Sequence, residues 1–78
     1  MTKPINHELT EIEIACGVTL SQVAELRPKG LFIQGGTRFV LPTNTPPALG
    51  SSVARFAFGA PAEFAGLNQL GQPVYRPA

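Results

Sequence analysis

Residues 18–30, VTLSQVAELRPKG, hold a helix start, two turns of helix and a forced stop, and no other stretch restricts the fold of this chain as tightly. Thr19 as N-cap accepts from the backbone N–H of Gln22, and Gln22 reaches back to Thr19. Together they make a capping box, with Val18 stapled onto Val23. Pro28 bars continuation, and Gly30 frees the backbone to turn. The spacing predicts a short helix at about 20–27. It marks architecture and names no reaction.

At 78 residues the chain predicts a single small domain over 9–78 behind a flexible N-terminus, 1–8. At this size one core barely offsets the entropy of ordering the chain. Hydrophobic residues make up 44% against 14% charged, and the mean hydropathy is +0.12. That balance is apolar for a domain with so much surface per residue, and it implies an interface buried against a partner. The bases Lys3, Arg27, Lys29, Arg38, Arg55 and Arg76 oppose five acids for a net charge of +1, and they are scattered rather than gathered in a run. A nucleic-acid footprint ordinarily needs more.

A single cysteine, Cys16, excludes an internal disulfide and suggests a reducing compartment. With one histidine, His7, no metal-ligand spacing arises. The N-terminus has no apolar signal-peptide core, and no stretch approaches the roughly 18 apolar residues of a membrane span. These features predict a cytoplasmic protein that does not insert into membranes and carries no cofactor.

Along LTEIEIAC, residues 9–16, Ile12, Ile14 and Cys16 alternate with Glu11 and Glu13, which predicts a half-buried strand at about 10–16 with the glutamates on its wet face. The competing helical reading groups Leu9, Ile12 and Cys16 but strands Ile14 among polar residues. Residues 31–41 read as a hairpin about Gly35 and Gly36, with Phe32 opposite Phe39 and Leu31 opposite Val40. Those pairs fall on opposite faces, so the base of the hairpin needs cover on both sides. Pro42 ends its second strand, and 42–52 is an ordered irregular connection. VARFAF, residues 53–58, alternates as a third strand with Phe56 and Phe58 on one face, closed by Gly59. Residues 60–67 read either as a helical turn begun by Pro61 or as a strand centred on Phe64, and Val74 and Tyr75 as a last short strand. The sum is an α+β, mainly β, fold: a small twisted antiparallel sheet or partly open barrel with one short helix.

Catalysis requires groups that meet with shifted proton affinities, and among His7, Cys16, Glu8, Glu11, Glu13, Glu25, Glu63 and Tyr75 no pairing stands out. Cys16 reads as a packed thiol and His7 as a solvated imidazole. Gln34-Gly35-Gly36-Thr37 lacks the helix start with Lys and Ser or Thr that a phosphate cradle requires, so it reads as a turn. The phenylalanines lack the basic groove of a single-strand binder and read as core. No enzyme is expected.

Two known families are similar to parts of this pattern. Gly17 through Leu26 resembles the turn and recognition helix of winged helix-turn-helix regulators of the small phage and excisionase type, with the spacing from Gly17 through Val23 to Leu26 matching and residues 37–42 resembling the wing. That resemblance covers residues 9–42 and implies duplex DNA contacted by Arg27, Lys29 and Arg38. The second likeness spans nearly the whole chain. Ile12 to Gly17, Leu20-x-x-Val23-x-x-Leu26, Pro28 to Gly30, Leu31 to Ile33, Val53 to Gly59, Phe64-Ala65-Gly66 and Val74 to Arg76 are similar, in order, to the SpoA (surface presentation of antigens) domain of flagellar switch and type III secretion ring proteins. It implies a non-enzymatic scaffold that dimerises and binds protein partners, with Phe32, Phe39, Val40, Phe56 and Phe58 at the self-contact and Leu20, Val23 and Leu26 holding helix to sheet. The scaffold is the first expectation and the DNA binder the second. An inhibitor of a host protein, encoded by a phage or plasmid, is a third. A strand at 9–17 favours assembly; a helix there favours DNA.

Overall fold

Two capped helical turns lead into the sheet in the computed structural model, which describes residues 9–78. The expected flexible segment 1–8, with Lys3 and His7, lies outside the described residues. Helix α1, Glu11–Ala15, starts at Thr10, whose Oγ1 accepts from Glu13 N–H at 3.2 Å while Glu13 Oε1 accepts from Thr10 N–H at 2.7 Å. It stops in a Schellman turn: Gly17 sits at φ +83°, its N–H donates to Ile14 O, and Val18 N–H donates to Glu13 O, each at 3.0 Å. This corrects the strand expected at 10–16. The alternation of isoleucine with glutamate did not track burial, because Ile12 and Ile14 stay 77% and 60% exposed while Glu13 turns inward.

Helix α2, Leu20–Leu26, forms as its spacing predicts. Thr19 Oγ1 accepts from Gln22 N–H at 3.2 Å, Gln22 Oε1 accepts from Thr19 N–H at 2.9 Å, and Val18 and Val23 are both buried in the core. Pro28 turns the chain through a 3₁₀ turn, Arg27–Lys29. Gly30 is extended rather than left-handed. Its role is close approach, since a Cβ there would run into the Phe39 ring.

Strands β1, Leu31–Ile33, and β2, Arg38–Val40, pair in the expected register, Phe32 with Phe39 and Leu31 with Val40. Gly35 and Gly36 take φ of 69° and 86°, as a tight hairpin turn requires. Gln34 is left-handed too, so the ladder ends at Ile33 and Arg38.

Helix α3, Pro47–Phe58, occupies what the sequence suggested was an irregular connection followed by a strand at 53–58. Pro46 and Pro47 form a helix start that needs no N–H, and Gly59, left-handed at φ 71°, ends it. Gly50, Val53 and Ala54 recur at helical spacing and are buried, so the periodicity that matters is 3.6 rather than 2. Phe56 and Phe58 therefore point to different sides of the helix.

Strands β3, Ala62–Leu67, and β4, Pro73–Pro77, complete an open antiparallel sheet of order β1-β2-β4-β3. Of the two readings of 60–67, the strand is the one that forms. A bulge at Ala65 shifts the register between Phe64 opposite Tyr75 and Gly66 opposite Val74. It thereby turns Phe64 and Leu67, three residues apart, to the same face. The core lies between α3, α2 and this inner face: Val18, Val23, Phe39, Leu41, Val53, Ala54 and Tyr75. Burying each large side chain contributes roughly 1.5–3 kcal/mol. The domain is small and α+β with an open antiparallel sheet, as expected, but it holds three α-helices where the sequence suggested one.

Candidate functional site

The polar centre of the molecule is Glu13. It was expected on a wet face, yet its side chain is only 13% exposed and joins α1 to α3: Arg55 Nη2 donates to Oε1 at 2.8 Å and Ser52 Oγ donates to Oε2 at 2.6 Å. Burial alone raises the proton affinity of this carboxylate. The Ser52 hydroxyl, the Thr10 N–H and Arg55 together outweigh that and hold it below the ordinary range. Ser52 is fully buried, and Arg55 also lies over the Phe56 ring, 5.3 Å from its centroid. The network is a latch that fixes the short helix α1 on α3.

With α1 held, residues 11–40 run as helix, glycine turn, helix and hairpin. α2 packs on α3 through Val23 and Leu26. Ser21, Gln22, Ala24 and Glu25 are turned outward, and Arg27 and Lys29, both exposed, follow at its C-terminal end. Arg38 opens β2 and is half-buried, with Nη1 donating to Thr37 O at 2.8 Å. Leu20, expected to clamp helix to sheet, is instead 55% exposed at the rim of a shallow depression shared with Val23, Ala24, Arg27 and Phe56.

The five residues proposed for self-contact divide. Phe39 and Val40 are buried within the single chain, at 2% and 7% exposure, and are unavailable to a partner. Phe32, half exposed, packs against Phe39 and Phe58 with centroids 4.8 and 5.4 Å away. Phe58 is thereby drawn into an intramolecular cluster, and Phe56 is half-buried against α2. The outer face of the hairpin, turned from α3, is the one left open: Leu31 is 69% and Ile33 38% exposed. The sequence reading named neither as a contact, although the register it derived already put Leu31 on that second face.

Cys16, expected as a packed thiol, is exposed. Among the described residues no three His, Cys, Asp or Glu side chains converge as a metal site, and no helix is long and apolar enough to cross a membrane. Comparison with known protein families, with characterised proteins and with solved structures gave no match.

Proposed function

We propose that this chain is a small winged helix-turn-helix module that binds duplex DNA. The observation that carries the reading is the helix at Glu11–Ala15, joined through the left-handed Gly17 to α2. In this reading α2 enters the major groove, the β1–β2 hairpin serves as the wing, and α3 supplies the platform on which both are held. Ser21, Gln22 and Glu25 are the outward-facing polar side chains that reach base edges, Glu25 as an acceptor for a cytosine amino group. Arg27, Lys29 and Arg38 neutralise phosphates. The resemblance to excisionase-type regulators, which predicted a helix before Gly17, a helix after it and a wing, supports the same assignment.

Three phosphate contacts give a salt slope near −2.7, so affinity for duplex DNA falls about 40-fold between 50 and 200 mM salt. Fluorescence anisotropy on a random-sequence duplex measures this directly. Arg27→Ala with Lys29→Ala weakens binding at low salt and lowers the slope by about 2. No binding at low salt removes the reading.

A second reading, self-association as a scaffold for protein partners, is favoured by the uncovered apolar strip at Leu31 and Ile33. The segments matched to the SpoA pattern as strands at 12–17 and 53–59 are largely helical here, so this reading rests on surface chemistry rather than on fold.

A further inference from the structure

We infer that the groove at the N-terminal end of α3 binds a small aryl carboxylate. The cavity, about 390 Å³, falls within the range of small-molecule sites. Its walls are Pro47 and Ser51 of α3 and Phe64, Leu67 and Pro73 of the sheet, and Tyr75 forms its floor. The bulge at Ala65 builds this wall, because it brings Phe64 and Leu67 to the same side. No lining residue carries a charge.

Two independent features call for an acceptor on the ligand. Tyr75 is 1% exposed, and among the described residues its hydroxyl makes no hydrogen bond. The ring reaches α3 at Gly50, where a Cβ would collide with Oη, beside Ser51 and one turn from Pro47, the helix residues that line the groove. A buried hydroxyl without a partner is rare and costly in a folded protein. The second feature is the start of α3. Pro46 and Pro47 lack N–H groups, no side chain caps the helix, and Gly50 N–H bonds Pro46 O. Among the described residues, the N–H groups of Ala48 and Leu49 thus find no acceptor. A donor hydroxyl and a free helix N-terminus together favour a carboxylate. The Phe64 ring, meeting Tyr75 edge to face at 5.7 Å, favours a flat apolar body behind it.

The groove sits at the opposite end of α3 from Phe56 and α2, so the inference stands or falls apart from DNA binding. Titration of the intact chain with phenylacetate, followed by amide ¹H–¹⁵N shifts, yields saturable changes at Ala48, Leu49 and Ser51. The neutral analogue benzyl alcohol binds at least about tenfold more weakly. Tyr75→Phe, which deletes only the hydroxyl, keeps the dispersed spectrum and loses about tenfold in affinity. Leu67→Trp, at a 66% exposed rim position, fills the groove and abolishes the shifts. Absence of saturation up to about 10 mM phenylacetate overturns the inference, as does equal binding of benzyl alcohol or undiminished binding to both variants.

Discussion

Glu13 carries three structural roles at once: it closes the capping box of α1, receives the Ser52 hydroxyl and pairs with Arg55. Its removal has a graded effect. Ser52 Oγ also donates to Ala48 O at 2.9 Å, and a Gln closes the box at Thr19, so a Glu13→Gln change keeps a partner for the hydroxyl and an acceptor for the cap, and the loss falls on the ion pair with Arg55. The expected destabilisation is about 1–3 kcal/mol near neutral pH, several degrees in Tm for a domain this small. The pH dependence has a definite sign. A carboxylate whose folded proton affinity is depressed stabilises fully above its unfolded value, near 4.5, and that contribution is lost as pH falls through the lower folded value. Thermal melts of wild type and Glu13→Gln should therefore converge as the pH drops below 4.5. A constant gap would mean that the carboxylate's charge is not what holds α1. Residues 10–13, TEIE, have the same Thr-x-x-acceptor form as the box at Thr19 and Gln22. The signal was in the sequence, outranked by an alternation of isoleucines that are in fact mostly wet.

Among the elements, helix boundaries were more legible than helix interiors. α2 was readable because cap, staple and stop coincide within thirteen residues, and the hairpin because two adjacent glycines set a turn and the turn sets the register. α3 was hidden by its own composition. Phe56 and Phe58 imitate a strand, whereas the positions that face the sheet are Gly50, Val53 and Ala54, too small to stand out as an apolar stripe. Their smallness has a reason in packing: Tyr75 lies against Gly50, leaving no room for a larger side chain. The bracket of Pro46 and Pro47 before and Gly59 after was the readable signal. The turn between α1 and α2 offers the cleanest test at this scale. A Cβ at Gly17 would meet nothing within 4 Å, so Gly17→Ala costs only the left-handed backbone, about 1–2 kcal/mol. Chemical denaturation should show that loss with an unchanged m-value. A neutral result would mean that α1 does not depend on its Schellman turn.

At the scale of the whole molecule, one helical layer covers one face of a four-stranded sheet, and the described residues provide no second layer. The sequence foresaw this in the hairpin, whose opposed pairs put apolar side chains on both sides, but the residues that stay most exposed on the outer side were not among those it named. Phe39 is the side chain α3 covers, while Leu31 and Ile33 remain in water. Val40, opposite Leu31 and paired with Val74, is buried at 7%, so the open strip centres on Leu31 and Ile33. Edge strand β1 borders that strip and is only three residues long, which limits pairing through its backbone. In the scaffold reading, association therefore runs face to face, through side chains, rather than by extending the sheet. Sedimentation equilibrium at micromolar concentration should then find a dimer, and Leu31→Glu should return it to monomer without lowering the intrinsic stability of the fold, because that side chain is already 69% exposed. A strictly monomeric wild type removes self-association. A dimer that Leu31→Glu leaves intact moves the contact elsewhere, and Phe64, 55% exposed on the opposite face, is then the next position to change.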